Sequence, residues 1–188
     1  MSNEPTYTAF AGPRRIAAGE LPHVLALAHT EFHTHHHPDQ PILFFRDDTG
    51  RQVEFDLSES LDTLLQRVIP EQPKRGPGRP RMGVECGEVC LLPRHWEWLE
   101  RRPKRASATL RLLVEQAMKN MSPEERVQER IDAVHSVMWV LAGDLVGFEE
   151  ASRALYAQKW EVFQRLIAPW PEDIASHLQG MLAEVSQT

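Results

Sequence analysis

The sequence is short of several things, and each shortage removes a class of protein. Only two of its 188 residues are cysteine, Cys86 and Cys90, too few for a disulfide framework. They read instead as small apolar residues of a strand. No stretch approaches the roughly 20 apolar residues of a membrane span. The opening Met1-Ser2-Asn3-Glu4-Pro5 has neither the basic start nor the apolar core of a signal peptide, so the expected location is the cytoplasm. No segment repeats at a fixed period. Gly76, Gly78 and Gly83 lack the spacing of a phosphate-cradling loop, no Walker-type Lys-Ser/Thr occurs, and nothing marks a nucleophile. The expectation is a non-enzymatic protein without a cofactor.

What the chain does have is segregated charge. Its formal net charge is −6. Residues 1–70 carry 5 Lys/Arg against 10 Asp/Glu, residues 71–120 carry 11 against 6, and residues 121–188 carry 5 against 11. One basic island therefore sits between two acidic flanks. The island would attract nucleic-acid phosphates, or it would serve contacts between protein segments.

Taken in order, the patterns predict an α+β protein. Tyr7-Thr8-Ala9-Phe10, the turn Gly12-Pro13 and Arg15-Ile16-Ala17 read as a hairpin. Leu21 to Thr30 has helical spacing. Pro41 to Phe45 and Arg51 to Leu57 are strands joined by Asp47-Asp48-Thr49-Gly50, and Leu61, Leu64, Leu65 and Val68 form one face of a helix. Residues 6–70 thus read as a small sheet-and-helix domain. Between Pro70 and Gly83 lie four prolines and three glycines, a density that neither helix nor interior strand survives. Residues 71–83 read as a basic arm or linker. Residues 84–120 read as strand, helix from Arg94 to Arg102, and a second helix capped by Ser107. On that second helix Leu110, Leu113, Val114, Ala117 and Met118 form one buried face. Residues 121–188 read as a helical segment opened by Ser122-Pro123-Glu124-Glu125, a cap with proline in the first turn.

The arm carries Gly78-Arg79-Pro80 amid Lys74, Arg75 and Arg81, and it resembles an AT-hook. The resemblance implies insertion of arginine into the narrow minor groove of A·T-rich DNA. Pro77 stands where that motif has arginine. The other reading of the arm is a solvated charged linker. The unit 84–120 resembles a ribbon-helix-helix domain in its strand ended by Pro93, its helix Arg94–Arg102, and Arg105 to Arg111 opening the next helix. That resemblance implies two chains pairing their strands, and phosphate contacts from Lys104, Arg105, Ser107 and Arg111 near the second helix. The groove-facing strand positions would be Gly87, Val89 and Leu91, which offer no hydrogen bond to a base. A unit used only for packing or dimerisation is the alternative.

His29 and His33 are four apart, and His35, His36 and His37 follow. So much imidazole suggests a metal, with His33, His35, His36 and His37 as candidates. No cysteine nearby completes a structural set, and His33 to Pro38 reads as a loop, so the expectation is no resident metal. Finally, Thr8-Ala9-Phe10-Ala11-Gly12, Phe45 to Arg51, Arg75 to Pro80, Leu91 to Leu99 and Ala142 to Glu149 together resemble a bacterial family, domain of unknown function 2239. The resemblance implies a bacterial cytoplasmic protein and brings no activity with it. The expected function is a DNA-binding transcriptional regulator acting as a homodimer. The alternative is an antitoxin-like interaction or adaptor module without DNA contact.

Overall fold

A strand that is apolar on both faces is stable only if both faces find cover. Strand β1 (Thr6–Ala11) is such a strand in a computed structural model of the protein, which describes residues 5–35, 40–68 and 87–183. It pairs antiparallel with β2 (Arg14–Glu20) on one edge and with β3 (Ile42–Arg46) on the other. Strand β4 (Arg51–Val53) adds to β3, giving the order β2-β1-β3-β4. Successive side chains point to opposite faces. Ala9 and Phe44 therefore join one core while Phe10 and Phe45 join another. A register shift beside Ala9 and Phe10 leaves Ile16 as an extra residue on β2, and both Ile16 and Ala17 pack into the first core.

The first core is completed by α1 (Leu21–His35) and α2 (Leu61–Val68), through Val24, Leu25, Ala28 and Leu64. The second is completed from the far end of the chain. Helices α5 (Pro123–Ala142), α6 (Phe148–Tyr156), α7 (Trp160–Ile167) and α8 (Glu172–Ala183) bury Ile131, Val134, Met138, Leu155, Phe163 and Leu178 with Phe10 and Phe45. Polar contacts mark the same junction. The backbone N–H of Arg15 donates to Asp173 Oδ2 at 2.8 Å, and Arg130 Nη1 donates to the Asp47 carbonyl at 3.3 Å. The α+β class is as expected, but the division is not. The segments assigned to separate domains at 6–70 and 121–188 form one unit, and the second unit lies between them in sequence. Sequence pattern showed which faces were apolar; it did not show that each segment covers the other.

The second unit contains α3 (Pro93–Glu100) and α4 (Ala106–Lys119). Residues 84–86 of the expected strand lie outside the described residues, and residues 87–92 form no strand. Cys90, expected to be packed in that strand, is exposed. The apolar stripe of α4 is also not buried: Leu113, Val114 and Met118 are exposed, Met118 to 67%. Among the described residues of this unit the buried side chains are Leu99 and Thr109 alone, because α3 is too short to cover α4. No helix among the described residues is long and apolar enough to cross a membrane.

Gly50 fixes the approach of α5 to the sheet. It closes the β3–β4 turn with its N–H donating to the Arg46 carbonyl at 2.8 Å and with φ at +64°. A Cβ there would lie 2.0 Å from the Ala133 carbonyl oxygen on α5. Gly50→Ala therefore combines left-handed strain with a backbone clash. It is expected to cost about 3 kcal/mol or more, read as a lowered urea midpoint by circular dichroism.

Candidate functional site

The described part of the basic island is a helical hairpin that displays cations. Residues 87–122 hold seven Lys/Arg against four Asp/Glu. Pro93 occupies the first turn of α3, where its missing N–H costs nothing. Pro103 follows the end of α3 and prevents its continuation. Thr109 then pins the turn from below: its buried Oγ1 donates to the Lys104 carbonyl at 3.2 Å. This holds Lys104 and Arg105 at the surface where α4 starts.

Around that turn Arg94, Arg101, Arg102, Lys104, Arg105 and Arg111 are all exposed. Arg101 lies 3.8 Å from Glu97, a distance at which an exposed pair contributes little. Arg102 sits over the Trp98 ring at 3.8 Å, which braces the guanidinium. Arg111 Nε donates to the Ser107 carbonyl at 3.3 Å. Neither Lys104 nor Arg105 pairs with a carboxylate among the described residues. The N-cap of α4 is Arg105 rather than the expected Ser107, and it makes no side-chain cap bond. Ser107 is the second helical residue, because α4 starts two residues earlier than the Ser-based reading. Peptide N–H groups at an uncapped helix start, flanked by cations, suit an anionic oxygen such as phosphate.

Of the residues expected to contact phosphate, Lys104 and Arg105 precede α4, and Ser107 and Arg111 lie in its first two turns. Lys74, Arg75, Arg79 and Arg81 lie outside the described residues. His33 is not in a loop, since α1 runs on to His35. The side chain of His35, and all of His36 and His37, lie outside the described residues. Among the described residues no three His, Cys, Asp or Glu side chains gather as a metal set.

Two polar features of the other unit escaped sequence reading. His177, on α8, is 7% exposed and meets the Phe10 ring edge-on at 5.4 Å. Its Nε2 is buried without a hydrogen bond. Burial pushes this imidazole below its ordinary value; the charge of Asp47 opposes that shift and Arg15 adds to it. Asp47 itself accepts from Thr8 Oγ1 at 2.7 Å. Only the position of His177 within the apolar stripe Ile174, Leu178, Met181 hinted that it faces inward. The second feature is an aromatic cluster on α5 and α6. His135 packs against Tyr156 and Phe148, Trp139 packs edge-on against Phe148, and Tyr156 Oη donates to Asp132 at 3.3 Å. Trp139 is 64% exposed. An open cavity of about 350 Å³ lies along α6 and α7, lined by Glu150, Arg153, Lys159 and apolar residues. There Arg153 is held by Glu150 at 2.8 Å.

The model of a family described as an uncharacterized protein conserved in bacteria, DUF2239, matches residues 6–182. No curated protein and no solved structure matches the chain.

The buried His177 sets a pH dependence. Its folded-state pKa lies below the ordinary imidazole value of 6.5, which the unfolded chain keeps. Below that value the unfolded chain binds more protons, so stability falls as pH drops from the unfolded pKa toward the folded one. One such group changes stability by at most about 1.4 kcal/mol per pH unit. Urea melts between neutral and mildly acidic pH should show a steeper acid loss in wild type than in His177→Leu.

Proposed function

The chain belongs to DUF2239, a family whose description names no activity, and we propose that it is a DNA-binding protein of the bacterial cytoplasm, a transcriptional regulator that acts as a homodimer. The observation that carries this reading is the exposed cation cluster at the α3–α4 turn. There Lys104 and Arg105 stand beside an uncapped helix start, unpaired by carboxylates among the described residues. Cations and peptide N–H groups of this kind contact phosphates and set the position of a protein on the duplex without reading sequence. The basic arm, with Arg79 and Arg81, supplies the groove contact in this reading. Dimerisation gives the exposed apolar residues of α4 a partner, which the described residues of their own unit do not supply.

Exposed apolar residues also support a second reading, an adaptor or antitoxin-like module that binds another protein and leaves DNA alone. Leu92, Trp96, Leu113, Val114 and Met118 are all exposed, and a partner with an acidic rim would match the surrounding cations.

Fluorescence anisotropy with A·T-rich and G·C-rich duplexes over a salt series separates the two. The DNA reading expects salt-steep binding. Lys104→Ala/Arg105→Ala should flatten the slope of log K against log salt by about 0.9 for each phosphate the variant no longer neutralises. Arg79→Ala/Arg81→Ala should weaken binding and remove any A·T preference. A folded protein that binds neither duplex at low salt overturns the DNA reading. Co-purification of a partner that survives nuclease treatment then favours the adaptor.

A further inference from the structure

Helix α1 places His29 and His33 one turn apart, so the two rings leave the same side of the helix. Their centroids are 4.3 Å apart and their Nε2 atoms 3.1 Å apart. The carbonyl oxygen of Glu59, in the segment leading into α2, lies 3.0 Å from the same His29 Nε2. His29 Nε2 thus has two further lone-pair atoms within about 3.1 Å, one from its own helix and one from another part of the chain.

Protons serve this cluster poorly. The Glu59 carbonyl only accepts, and the Nε2 of a neutral imidazole either donates or accepts. If His33 donates to His29, the carbonyl faces a lone pair. If His29 donates, one proton is divided between two acceptors. A cation resolves the conflict because it takes all three lone pairs together. We propose that His29 Nε2, His33 Nε2 and the Glu59 carbonyl oxygen form an open site for a divalent first-row cation of borderline softness: Zn²⁺, Ni²⁺ or Cu²⁺. Both rings then carry their proton on Nδ1.

The spacing suits such an ion. Tetrahedral ligands at about 2.0–2.1 Å from a metal stand roughly 3.3 Å from one another, a few tenths of an ångström beyond the separations found here. Imidazole is a favoured donor for these cations. Glu59 offers a second, independent observation. Its Oε1 accepts from Arg67 Nη1 at 3.0 Å, while its Oε2 is buried and has no hydrogen-bond partner. The residue that supplies the carbonyl thus also carries a carboxylate oxygen left unsatisfied. The remaining coordination positions are open to water, so the ion exchanges readily. Because α1 and the approach to α2 both contribute donors, loading stabilises the fold by mass action.

The test must separate this site from the neighbouring His35-His36-His37 run. Isothermal titration of the full chain with NiCl₂ and with ZnCl₂ is paired with thermal melts. The expected result is binding with a raised Tm in wild type. His33→Ala, which removes an exposed ring and should leave the fold intact by circular dichroism, weakens one bound equivalent by about tenfold or more and abolishes the Tm rise. His35→Ala/His36→Ala/His37→Ala retains that equivalent and the Tm rise. The proposal is overturned by a wild type that binds neither ion, by His33→Ala behaving as wild type, or by loss confined to the triple variant, which would assign binding to the oligo-histidine run alone.

Discussion

A four-stranded sheet with two apolar faces cannot stand by itself, and everything else in the larger unit follows from covering it. Ala9 and Phe44 look to one side, Phe10 and Phe45 to the other. The residues nearest in sequence supply α1 and α2, enough for one face. The other face needs α5 to α8, contributed after a long excursion of the chain. Burying an aromatic side chain of this kind contributes about 1.5–3 kcal/mol, so leaving Phe10 and Phe45 uncovered would forfeit a large share of the roughly 5–15 kcal/mol that holds a typical domain together. The segment containing the basic residues therefore lies in sequence between α2 and α5, which close different cores of one unit.

This arrangement separates stability from the proposed chemistry. The cations at the α3–α4 turn rest on few buried groups, chiefly Leu99 and Thr109. Removing Lys104 or Arg105 takes nothing from the cores that contain Phe10 and Phe44. The charge pattern agrees with the division, since the segments that build the larger unit are acidic and the one between them is basic. An acidic body repels phosphates over its own surface and leaves attraction to the basic segment.

Local elements were legible in the sequence because their signals are local. The hairpin turn at Gly12, the alternation on the strands, Pro123 at the start of α5 and the stripes of α2 and α8 each declare themselves within a few residues. What was not legible depends on partners distant in sequence. The prolines and glycines around the arm mark a break in regular structure in the sequence, but composition does not say that the chain afterwards completes the same unit. The periodicity of Leu110, Leu113, Val114, Ala117 and Met118 predicts an apolar face, and α4 has one, but periodicity is silent on whether the same chain covers it. The extension of α1 through His33 was hidden because consecutive histidines resemble a polar loop. His177 was hidden because a polar residue inside an apolar stripe shows its burial only when Phe10 is seen against it.

The two-sided sheet also has a meaning in time. A ribosome delivers β1 and β3 long before α8, and in the interval the basic segment must be made as well. Throughout that interval Phe10 and Phe45 belong to a nascent chain whose first core can close while its second cannot. Such a half-covered sheet presents a sticky apolar face to whatever is nearby, which is the condition under which chaperone holding acts and newly made chains stick to each other. The late helices are thus the step that ends the vulnerable period, and slow synthesis through the proline-rich excursion would lengthen it.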